Sequence, residues 1–292
     1  MACAPLLGAG AFAVLRWVDW GTSRSADASG GAAELAVWQV LVAASVVVWT
    51  VLAAVGLRLL RELTTPIDSW PAVPWRETVA FVVFVYVVIG AVLVVAGVAG
   101  LRNPYVMDGQ NWKIPFFHLV AGVAILPLLL VLKQIELRAA RDAGWSARVR
   151  DIERTQVLRR SLQTATASLG VVIALAVIAT GALRQATTAA RLTPVPDAFV
   201  LVYGGWFTGI VAAIYLHVFS ALEARGRWIL TIAARLPDPD PKTGDVFTAH
   251  RTLRAELAQE LELGGDARRN LESLIAVLAP LTAALLTRLG GL

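Results

Sequence analysis

Residues 35–57, 79–101, 115–132, 164–183 and 198–221 contain no Asp, Glu, Lys or Arg, and that pattern rules out most folds. A helix rises 1.5 Å per residue, so each run is about long enough to cross a hydrocarbon core of ~30 Å. The valine-rich second run resembles a buried strand locally, but an uninterrupted run from 79 to 101 is too long for one. The chain is 57% hydrophobic and 16% charged, where a soluble domain carries about 25% charged residues. The expected fold class is therefore all-α: a polytopic transmembrane helical bundle, not two soluble domains. One cysteine, Cys3, excludes an intramolecular disulfide and a cysteine metal cluster.

The remaining segments set the organisation. Residues 1–34 hold a short apolar helix (2–15), interrupted by Pro5, followed by a Gly/Ser-rich loop. If residues 2–20 cross as well, the six spans become seven. Residues 35–222 form a five-span bundle. Pro127 lies inside the third span and predicts a kink. That span continues past its apolar end, and together with the approach to the fourth span it makes a helical hairpin over 133–163. Residues 223–270 are a charge-balanced hydrophilic piece. In it span five runs on to about Leu236, and a helix follows from Val246 to Leu263, after the proline-rich loop 237–245. Residues 271–292 are apolar enough for a sixth span, with Arg288 reaching for the interface.

The hairpin carries eight basic and four acidic residues. Basic residues collect in cytoplasmic loops. The connectors after spans one, three and five hold 19 Lys/Arg, and all other connectors and both ends hold 7, which together make the 26 present. Six spans with both termini outside fit this partition. Of the 26, 23 are Arg, a bias read as high-GC coding and hence a bacterial cytoplasmic (inner) membrane. The net charge of +5 follows the loops and forms no nucleic-acid footprint.

Charge in hydrocarbon is costly and usually functional, yet the five runs offer only His118 and His217. No span supplies an acidic partner at similar depth, so both read as interfacial or helix-bonded histidines. Gly205 and Gly209 form a GxxxG with Gly204 beside them, and Gly90 and Gly97 line span two; Gly170 and Ala174 share that spacing in span four. Such residues let helix backbones approach closely. Residues 241–245 match a P-type phosphorylation motif only superficially, because Pro241 stands where the aspartate must be. No P-loop, HExxH, GxSxG or dinucleotide fingerprint occurs. No catalytic, cofactor-binding or metal-ligating residue is expected, and no cofactor.

Two interaction surfaces are expected. Arg148, Arg150, Arg154, Arg159 and Arg160 offer charge to anionic lipid headgroups or an acidic partner; the plainer alternative is a solvated loop that only sets orientation. On the helix after 245, Val246, His250, Leu253, Leu257 and Leu261 fall on one narrow apolar stripe, with Thr248, Arg251, Thr252, Glu256 and Glu262 opposite. A stripe this narrow does not hold a helix alone. Its partner is the chain's own 228–235 extension, another copy, or a protein partner. The expected function is a non-enzymatic membrane protein acting as an assembly or signalling component through its cytoplasmic segments. The competing expectation is a channel or small-solute transporter subunit.

Overall fold

The computed structural model describes residues 32–64, 75–99, 113–140, 149–189, 197–233, 244–261 and 267–289. The expected N-terminal helix and Arg148 lie outside them. The side chains of Gly97, His118, Arg150, Val246 and His250 also lie outside what is described.

Every described element is helical: α1 (Ala32–Thr64), α2 (Trp75–Ala99), α3 (Lys113–Ala140), α4 (Val149–Ala189), α5 (Asp197–Ala233), α6 (Gly244–Glu260) and α7 (Ala267–Leu289). Four are long and apolar enough to cross a membrane: Ala33–Thr64, Val120–Ala140, Asp151–Ala186 and Val200–Ile232. That count covers described residues and leaves α2 out. In α7 the apolar stretch Leu274–Thr287 is shorter than a crossing, so the expected six spans are met only in part. α3 runs past its apolar run to Ala140 and α4 starts at Val149, well before its own; the turn of the expected hairpin lies outside the described residues.

α3 and α4 form the centre. α1 packs on both, α5 on both from another side, α7 fits against α4 and α5, and α2 packs chiefly on α3. Leu128, Leu129, Leu132 and Ile135 of α3 meet Leu158, Leu162, Ala165, Leu169 and Val177 of α4 in a fully buried core, joined by Trp38 and Trp49 of α1. Trp49 Nε1 donates to the Val172 carbonyl at 3.1 Å, which satisfies an indole N–H that hydrocarbon would leave unpaired. Outside the core the bundle displays Val37, Phe84, Val123, Val202, Leu216, Ile275 and Leu286. Large apolar side chains spread over several helices mark a surface made for lipid.

Small residues set how closely the helices approach, at Gly204 and Gly170 among the expected positions and at Gly56 and Gly181 besides. A Cβ on Gly204 would come within 2.6 Å of Ala284 Cβ and 2.8 Å of the Pro280 carbonyl; one on Gly181 would meet Thr287 at 2.9 Å, and one on Gly56 would meet Pro127 at 2.9 Å. Gly170 lies against the Ala276 carbonyl. A Cβ on Gly205, Gly209 or Gly90 would meet none of the described neighbouring atoms within 4 Å. α7 is therefore wedged between α4 and α5 through Gly170, Gly181 and Gly204. Pro280 lies inside α7; it has no N–H and displaces the carbonyl four residues back. The next amide, Leu281 N–H, donates to Thr208 Oγ1 of α5 at 3.1 Å. A side chain of the neighbouring helix thereby supplies an acceptor beside the proline.

Candidate functional site: the arginine-rich helix ends

The polar residues of the bundle concentrate where α3 leaves its apolar run and α4 has not yet entered its own. In α3, Lys133 Nζ donates to both carboxylate oxygens of Glu136 at 2.8 and 2.9 Å. The same carboxylate lies 3.3 Å from His217 Nε2 of α5. Gln134, fully buried, donates to Thr78 Oγ1 of α2 at 2.9 Å, and Lys133 also sits over the Phe81 ring of α2. One turn of α3 thus ties together three helices. Sequence reasoning left His217 without an acidic partner because it compared only the apolar runs, and Glu136 lies one turn beyond one of them. Depth is the only signal for this pair, as both residues stand at the same end of neighbouring spans.

The first turns of α4 carry a second set. Arg154 donates to Asp151 at 2.9 Å, with both side chains buried. Thr155 bonds back to the Asp151 carbonyl at 2.8 Å. Arg159 turns inward and meets Glu223 of α5 at 3.5 Å, and Arg227 donates to the other oxygen of Glu223 at 3.2 Å. Arg225 is buried and stacks on the Trp228 ring at 4.2 Å. Arg160, next in the chain to Arg159, is exposed.

These placements change the expected role of the hairpin arginines. Arg154 and Arg159 are neither solvated nor turned to lipid; they are buried and ion-paired inside the bundle, Arg154 with Asp151 and Arg159 with Glu223. Of the five named arginines, Arg160 is the one whose described side chain stands outward.

α6 is attached by its end. Leu261, whose N–H bonds to the Leu257 carbonyl at 2.9 Å, extends the last turn and is 0% exposed. Gln156 Nε2 of α4 donates to the Glu260 carbonyl at 2.9 Å and to its carboxylate at 3.1 Å. Leu257 is half-buried, and Leu253 is 45% exposed. All six residues from Arg251 to Glu256 are exposed. The helix begins two residues before the expected start, and its stripe is docked at Leu261 and open at Leu253. The anchor includes α4, a neighbour that the apolar stripe did not point to.

Among the described residues no group of three or more His, Cys, Asp or Glu is placed to hold a metal ion. No protein-family model, no curated protein and no solved structure matches the chain.

Proposed function

We propose that the chain is a non-enzymatic multi-pass integral membrane protein that works as an assembly or signalling component, with α6 held out from the arginine-rich end for a protein partner. The observation that carries this is the exposure of every residue from Arg251 to Glu256 beside the seated last turn of α6. Helices in proteins draw most of their stability from packing an apolar face, so the free stretch of α6 gains stability from whatever covers Leu253. The packed apolar centre around Leu128, Leu132, Leu162 and Leu169 supports a sealed bundle over a solute pathway.

In this reading the chain crosses six times, with α2 and α7 among the spans, both termini outside and the arginine-rich end cytoplasmic. The partition of basic residues supports the orientation, and the arginine bias supports a bacterial inner membrane.

Two substitutions test the proposal. Leu253→Asp leaves expression and protease access at 237–244 unchanged and abolishes the discrete adduct formed by a photo-crosslinker at position 252. Leu261→Asp removes the seated turn, lowers expression and opens 237–244 to protease. If Leu253→Asp behaves as Leu261→Asp does, the stripe is internal packing and the partner reading fails.

A further inference from the structure

Cross-helix contacts bring a second, outward-facing set of arginines to one level. Gly56 of α1 lies against Pro127 and Leu128 of α3, so Arg58 and Arg61, roughly one turn on, come level with Lys133. The bond from Gln134 to Thr78 puts Arg76 of α2 at the same height. Trp49 of α1 meets Val172 of α4. Counting down α4 by as many residues as α1 counts up, Arg160 also falls level with Arg61. Arg58, Arg61, Arg76 and Arg160 are all exposed, as is Trp75, a side chain suited to the headgroup layer.

We propose that these four arginines form a belt that binds the phosphodiester headgroups of anionic lipids. Among the described residues the exposed acids at this level are Glu62 and Glu77, so the four arginines outnumber them two to one. Arg58 bonds to Glu62 at 2.8 Å with 81% of its own side chain exposed; such a surface pair is weak and leaves the guanidinium open to a phosphate. The belt lies at the edge of the apolar runs, where a headgroup phosphate sits and a soluble anion competes poorly. It uses different residues from the buried pairs of Arg154 and Arg159, and does not depend on α6 having a partner.

The test uses the full chain in phosphatidylcholine vesicles doped with dansyl-labelled phosphatidylglycerol or dansyl-labelled phosphatidylcholine, with energy transfer from tryptophan as the readout. The glycerol lipid is enriched at the protein by about two- to fourfold, the scale expected of a few basic residues at an anionic surface. Enrichment falls to none when Arg58, Arg61, Arg76 and Arg160 are all changed to Gln, and is kept in Arg251→Gln/Arg254→Gln. An unchanged preference in the four-site variant, or none in the unaltered chain, overturns the proposal. Should the four-site variant fail to insert, salt decides on the unaltered chain. About 1 M NaCl shortens screening to ~3 Å and abolishes the preference, whereas persistence overturns it. Inorganic phosphate at constant ionic strength leaves the enrichment intact; its loss would assign the site to a free anion instead.

Discussion

Arg159 and Arg160 are neighbours in the chain with opposite surroundings: one reaches Glu223 across the α4–α5 seam, and the other faces out. Consecutive helix positions differ by 100° in direction, so an arginine-rich stretch entering a bundle must bury some of its charge and show the rest. The buried share is where substitution is felt. Arg154→Ala removes a buried charge partner of Asp151 and is expected to cost up to about 3 kcal/mol, whereas Arg160→Ala stays within about 0.5 kcal/mol. Unfolding in detergent micelles, followed by circular dichroism, measures both. Glu136→Gln removes the charge that Lys133 and His217 share. It is expected to destabilise by about 1–3 kcal/mol, and His217→Gln by less, as that side chain is 67% exposed.

For the helices, the same one-residue rotation separates Gly204 from Gly205. Gly204→Leu drives a side chain into Ala284 and the Pro280 carbonyl, and is expected to unseat α7 and lower the yield of folded protein. Gly205→Leu and Gly209→Leu point away from every described atom and are expected to change yield and thermal stability little. Size-exclusion yield and melting in detergent read the contrast. Thr208→Val removes the hydroxyl that accepts from Leu281 N–H, at about 0.5–1.5 kcal/mol. In a Pro280→Ala background, where α7 can close its own ladder, the same change is expected to cost less. The positions of the helices were legible in the sequence because length and lack of charge suffice to locate a crossing. Their facing was not. A helix apolar on every side carries no stripe to reveal its inner face, so Gly205–Gly209 attracted attention while Gly204 makes the contact. Pairs such as Glu136–His217 and Gln134–Thr78 were hidden for a related reason: each depends on which spans are neighbours, and no single segment records that.

At the scale of the whole molecule, the orientation expected from the 19-to-7 partition has a direct check. In a Cys3→Ser background, a cysteine at Asn111 is expected to react with a membrane-impermeant maleimide in intact cells, and one at Ser146 is not. The reverse pattern would invert the protein. α3 and α7 each contain an internal proline, and α4 does not. α4 is 41 residues long, about 61 Å as a straight helix, and it is also the rod against which α1, α3, α5 and α7 all rest. Pivoting at its middle, such a rod turns a tilt of about ten degrees into a swing of about 5 Å at each tip. A pull on Gln156, where α6 is tethered, would therefore work as a force on a lever arm, and the far ends of the helices leaning on it would register the displacement across the full thickness of the membrane.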